Sequence, residues 1–138
     1  MVATRPYADA LARLRATKLR PTRQRLALAK LLFSGADRHV TAESLHKEAR
    51  ANRVRVSLAT IYNTLHQFTR AGMLREVIVD STRSYFDTNT SHHHHFFCEQ
   101  SQLLEDIPSG AVSVGTLPPP PRGTSISRID VVIRVHPR

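Results

Sequence analysis

Four histidines stand in a row at residues 92–95, within "SHHHHFF" (91–97), in a chain of 138 residues that has one cysteine. Neutral imidazole is the commonest protein ligand for metal ions and also serves haem iron as an axial ligand. On an extended backbone, successive side chains oppose each other, so His92 and His94 share one face and His93 and His95 the other. A mononuclear site then takes one or two of the four and draws its other ligands from elsewhere. The lone Cys98 excludes an intramolecular disulfide and a Cys₄ zinc site within one chain. A small buried thiol is its simplest reading. The bland alternative for the whole run is a polar strand that tolerates histidine in solvent.

The charge distribution suggests what such a site would control. Residues 1–87 hold 16 Lys and Arg against 7 Asp and Glu, whereas residues 88–138 hold 4 of each. Excess positive charge confined to one part of a chain is the footprint of nucleic acid or an acidic surface as partner. No stretch of about 18 apolar residues is present, so no membrane span is expected. The opening "MVATRPYADALARLRATKLR" lacks the apolar core of a secretory signal. A cytoplasmic protein is the expectation.

Three helices are expected in the basic part. Thr22 is placed to cap "RQRLALAKLLFS", with Leu28, Leu31 and Leu32 at helical spacing. Thr41 opens "AESLHKEARAN", where Glu43 sits in the first turn, favoured by the helix dipole. Ser57 caps "LATIYNTLHQFTRAG", which ends at Gly72. On this third helix Leu58, Ile61, Leu65 and Phe68 form one apolar stripe. Its other face carries Ala59, Thr60, Asn63, Gln67 and Arg70, flanked by Tyr62 and His66, and no acid. "MLREVIV" and "SYFDT", joined by "DSTR", then read as a β-hairpin. Helix–turn–helix followed by hairpin is a winged helix, whose second helix enters the major groove. Tyr62 and Asn63 are expected at bases, with Thr60 and Arg70 near phosphates.

The segments "LRPTRQR", "DRHVTAESLHKEAR", "VSLATIYNTLHQFTRAGML" and "SYFDTNTSHHHH" resemble, in order and spacing, the ferric uptake regulator superfamily. "HHHFF", "LLEDIP" and "LPPPPRGTSISRIDVVIRV" resemble its iron response regulator branch. The resemblance implies an α+β chain. An N-terminal winged helix-turn-helix domain (1–87) would precede a small α/β dimerisation and sensing domain (88–138). It implies double-stranded, palindromic A/T-rich DNA as partner, a homodimer, and Arg20 in a minor groove. A metal site for Fe²⁺, Mn²⁺ or Zn²⁺ would draw on His39, Asp87 and His94, and a second site on His93. Two departures bear on this. His95 stands where the family usually has Asp, and Phe96 where it has the last His of the cluster. The paired CxxC motifs of many members are also missing. In the iron response branch three histidines before two aromatics go with haem, so His93, His94 and His95 are expected at haem, with Phe96 and Phe97 as apolar walls.

The function expected is therefore a haem-responsive regulator, mainly a repressor, that binds its operator when iron and haem are scarce and is released by haem. The alternative is a repressor that takes a divalent metal as corepressor. An enzyme is disfavoured: no HExxH helix exists, and Asp87 is the only carboxylate near the histidines before Glu99. His46 and His66 read as ordinary surface histidines of the DNA domain, with phosphate or a second haem as other uses; His136 is uninformative. About 50 residues after Asp87 are too few for a stable core, so they need a partner surface. "SRIDVVIRV" alternates as a half-buried strand with Ile129, Val131, Ile133 and Val135 on one side. "PPPP" at 118–121 should run as polyproline II.

Overall fold

A computed structural model describes residues 6–138; residues 1–5, part of the opening segment read for a leader, lie outside the described residues. The chain divides into two compact units, with the boundary between Thr90 and Ser91. The boundary follows Thr90 rather than Asp87 because Thr88 belongs to the first unit. Its N–H donates to the Arg38 carbonyl at 3.0 Å, and its Oγ1 accepts from the Arg38 N–H at 2.9 Å.

The first unit holds helices α1 (Pro6–Arg15), α2 (Arg23–Phe33), α3 (Ala42–Ala51) and α4 (Leu58–Arg70), and strands β1 (His39–Val40), β2 (Arg75–Asp80) and β3 (Arg83–Asp87). Three helix starts are set by side chains that accept otherwise unpaired backbone N–H groups. Thr22 accepts from Arg25, Thr41 from Ser44, and Ser57 from Thr60. Thr41 and Ser44 complete a reciprocal capping box. α4 stops at Gly72, whose φ of 81° is free for glycine; there Met73 N–H donates to the Phe68 carbonyl and Gly72 N–H to that of Thr69. Ile61, Leu65 and Phe68 are fully buried on one face of α4, against Leu28, Leu32 and Leu45 of the same core. Each such burial contributes about 1.5–3 kcal/mol. α1 was not anticipated; Ala10 and Leu14 anchor it in this core. The strands form an antiparallel sheet in the order β1-β3-β2, the wing.

The second unit contains β4 (His94–Cys98), β5 (Leu103–Ile107) and β6 (Val132–Val135). β4 is central, antiparallel to β5 and parallel to β6. The chain as a whole is α+β, with a winged helix-turn-helix first; the second unit, expected as α/β, shows strands and no helix among its described residues. The strand expected over "SRIDVVIRV" is shortened to Val132–Val135. Val131, ahead of it, gives its N–H to the His94 ring and its carbonyl to His95 N–H, so a side-chain bond interrupts the ladder there. Ile133 and Val135 remain more than a third exposed. Residues 118–121 carry no helix or strand.

Candidate metal centre and nucleic-acid face

In the second unit His94 and His95 open β4, His92 and His93 lead into it, and the four rings fall into two pairs. The rings of His93 and His95 lie 4.5 Å apart on one face, those of His92 and His94 5.1 Å apart on the other. β5 runs antiparallel beside β4 and sets Asp106 opposite His95. Asp106 Oδ1 is 3.2 Å from His93 Nε2 and 3.2 Å from His95 Nε2. Ligand atoms of His93, His95 and Asp106 all lie within 4.8 Å of one another. Both imidazoles are buried while Asp106 is half-exposed, so the cluster opens to solvent on its carboxylate side.

The tautomer of His93 is fixed by its surroundings. His93 Nδ1 is 2.7 Å from the Ser91 carbonyl, which can only accept, so Nδ1 carries the proton. In a neutral ring the Nε2 lone pair then faces the Asp106 carboxylate. Two acceptors at 3.2 Å repel unless a cation or a second proton lies between them. An imidazole that donates from one nitrogen to a carbonyl and offers the other to a cation has the arrangement of a metal ligand.

His94 behaves differently. Its Nδ1 accepts the Val131 N–H at 3.1 Å, so in the neutral ring Nε2 holds the proton and offers no lone pair. The structure therefore brings His93 and His95 together with Asp106, a residue absent from the sequence reading, and sets His94 on the opposite face. Phe97 is fully buried, and Phe96, on the face of His92 and His94, is half-buried.

In the first unit His39 and Asp87 are register partners on β1 and β3. His39 Nε2 lies 3.1 Å from Asp87 Oδ2, and Asp87 Oδ1 accepts from the Asn89 N–H at 2.9 Å. A buried carboxylate beside an imidazole is one half of a metal's donor set.

The candidate nucleic-acid face is the outer side of α4, where Tyr62 and Asn63 are exposed and Thr60 is partly so. Tyr62 is not idle: its hydroxyl donates to Glu43 Oε1 at 2.6 Å, and this bond pushes the phenol above its ordinary range. Arg70 lies ten residues beyond Thr60, about 15 Å along the helix. It borders a groove with Lys18, Arg25 and Gln67 instead of joining the Tyr62 cluster. Arg25 donates to Gln67 Oε1 from Nε at 3.3 Å and Nη2 at 3.1 Å, and from Nη1 to the Arg20 carbonyl at 3.0 Å. It ties the loop of exposed Arg20 to α4. The pairings of Glu43 with Tyr62 and of Arg25 with Gln67 escaped sequence reading because each joins elements far apart in the chain.

The profile of the ferric uptake regulator family matches residues 16–114. The chain is 35% identical over 99 residues to the peroxide-responsive repressor PerR of Staphylococcus aureus, covering 72% of this chain and 66% of that repressor. It thus spans just under two thirds of that relative's length. In fold it is similar to the crystal structure of the Vibrio cholerae ferric uptake regulator, with a TM-score of 0.71 at 21% identity over 93% of this chain and 98% of that one. The ferric uptake regulator of Pseudomonas aeruginosa with manganese gives 0.68 at 22% identity over 94% and 98%. A family profile that covers well over half of the sequence, on a winged helix followed by a β-unit with clustered metal donors, shows that this chain belongs to the ferric uptake regulator family.

Proposed function

We propose that this chain is a metal-responsive transcriptional regulator that binds duplex DNA as a homodimer and senses a divalent cation through His93, His95 and Asp106. The observation that carries this reading is the pair of imidazole nitrogens on one Asp106 oxygen, with His93 Nδ1 committed to the Ser91 carbonyl. Two imidazoles and a carboxylate suit Fe²⁺, Mn²⁺ or Zn²⁺, leaving positions for water or further donors. His39 and Asp87 supply a second imidazole–carboxylate pair for such an ion. The similarity to a repressor, and to a regulator solved with manganese, supports the same class. Tyr62 and Asn63 read bases, Thr60 and Arg70 hold phosphates, and Arg20 enters a minor groove, where negative potential is strongest.

A ligand shifts DNA occupancy only if it binds the two forms unequally; about 1–3 kcal/mol of coupling, or about 5–150-fold in affinity, is typical. Fluorescence anisotropy on an operator duplex, with Mn²⁺ and then with chelator, should show a change of that size. Equilibrium dialysis that finds no retained Mn²⁺, Fe²⁺ or Zn²⁺ at micromolar protein would overturn this reading.

The second reading places the chain in the iron response branch, with haem on His93, His94 and His95 releasing DNA. One observation favours it: the face of His92 and His94 carries a half-buried Phe96, an apolar wall for a flat ring. Against it, His94 Nδ1 is engaged by Val131, and fully buried Phe97 cannot line a ligand without moving. A haem titration that yields a Soret band and releases DNA, lost in the triple His93/His94/His95→Ala variant, would favour haem over the divalent cation.

A further inference from the structure

We infer that the turn between α3 and α4 is a separate cradle for the DNA backbone, in which Arg50, Arg53 and Arg55 hold consecutive phosphates. The inference rests on the DNA-binding reading and adds a site to it.

A groove of about 820 Å³ lies at this turn. Arg50, Arg53, Arg55, His46 and Ser57 line it. Val54 and Val56 also line it and pack against the core, and the Val54 N–H donates to the Ala49 carbonyl at 2.8 Å, so the groove's base is fixed. No carboxylate is among the lining residues.

The state of these arginines differs from that of others in the chain. Arg38, Arg83 and Arg128 each pair with a carboxylate, Glu48, Asp80 and Asp130, at 2.6–2.7 Å. The guanidiniums of Arg50, Arg53 and Arg55 have no such partner among the described residues, and all three are exposed. Three like charges around one groove repel one another, and an anion filling it removes that cost. Guanidinium geometry matches phosphate oxygens in bidentate fashion.

Position selects the phosphodiester backbone over other anions. Ser57 belongs to the groove and is also the cap of α4. Asn63, on the exposed face, lies six residues further, about 9 Å along the helix. The major groove is about 12 Å wide, so a helix end holding Asn63 at base edges sets Ser57 and the arginines at the bordering strand. Backbone contacts carry no sequence information; they fix register and supply affinity that depends on salt.

The test is the salt dependence of binding by full-length protein to an operator duplex and to a scrambled duplex. The variant combines Arg50→Gln, Arg53→Asn and Arg55→Gln, asparagine being chosen because Arg53 has φ 60°. Each phosphate neutralised contributes about −0.9 to the slope of log affinity against log salt, so removing three shrinks the affinity ratio between about 50 and 200 mM salt about 40-fold. The shrinkage should be equal on both duplexes, and a triple Arg→Lys variant should keep the wild-type slope. Arg122→Gln, in the second unit, should leave it unaltered. A glutamine–asparagine variant that melts like wild type and keeps the full slope overturns the cradle and leaves DNA binding intact. Wild-type protein that binds neither duplex overturns both. Saturable binding of inorganic phosphate or AMP, abolished in the variant while its DNA slope stays unchanged, also overturns the cradle, since the groove would then serve a small anion.

Discussion

Asp106 and His94 make opposite predictions although both lie beside the same histidines. Asp106 shares one oxygen between two imidazoles, so Asp106→Ala should weaken Mn²⁺ or Zn²⁺ binding by more than about 100-fold, beyond the roughly 10–100-fold that loss of an outer hydrogen-bonding group costs. His94→Ala removes the acceptor for the Val131 N–H and a buried ring packed on His92, and should cost at least about 1 kcal/mol of stability with metal affinity retained. Isothermal titration and thermal melts on both variants separate these outcomes; equal metal loss would return His94 to the donor set. Because imidazole must be neutral to ligate, metal affinity in the wild type should fall as pH is lowered. The two faces of the histidine run were legible in the sequence, since alternation needs only an extended backbone. Asp106 was not, because its place opposite His95 depends on hairpin register. That register is set by "EQSQ", a turn without Asn-Gly or Asp-Gly, in which Gln102 takes φ 59°.

α4 and the wing turn show how local chemistry presets a binding element. To read a base as proposed, Tyr62 would exchange the Glu43 carboxylate for it, and Tyr62→Ala should cost about 1–3 kcal/mol at the operator for each base it no longer reads, with little change on scrambled DNA. Equal weakening on both duplexes would assign Tyr62 to the backbone. In the wing, Asp80 accepts from Arg83 and from the Thr82 N–H and hydroxyl, which holds its carboxyl well below the usual carboxylate range. A carboxyl depressed in the folded state contributes stability above its unfolded pKa and loses it as pH falls through the folded value. Asp80→Asn should therefore lower the melting temperature at neutral pH and narrow its gap to wild type in acid. A gap that widens in acid would contradict the sign. The caps of α2, α3 and α4 were readable because Thr22, Thr41 and Ser57 act within three residues of themselves. α1 and the two-residue β1 were not: their positions are decided by packing and by pairing with a strand more than forty residues away.

For the chain as a whole, the two units differ sharply in how much apolar surface they close. The first has a continuous core drawn from all four helices and the wing. The second, of 48 residues, fully encloses two apolar side chains among those described, Phe97 and Ile107, alongside three buried histidines. Leu103, Ile126, Ile133 and Val135 stay exposed, and β5 and β6 are both sheet edges. Buried histidines need partners or ions and give less than the apolar groups they displace, so this unit cannot offset its chain entropy alone. A second copy would resolve the deficit by covering the same surface on each chain, and under the proposed function it would set two copies of α4 against a two-fold operator. Full-length protein should therefore sediment as a dimer at micromolar concentration. Residues 1–90 alone should sediment as a folded monomer and bind the operator more weakly. Ile133→Asp, placed on an exposed edge, should shift full-length protein toward monomer without altering the helical signal of the first unit. A full-length chain that remains monomeric at that concentration, with a cooperative melt of its second unit, would show that the β-unit closes its core by itself and would remove the basis for a paired operator.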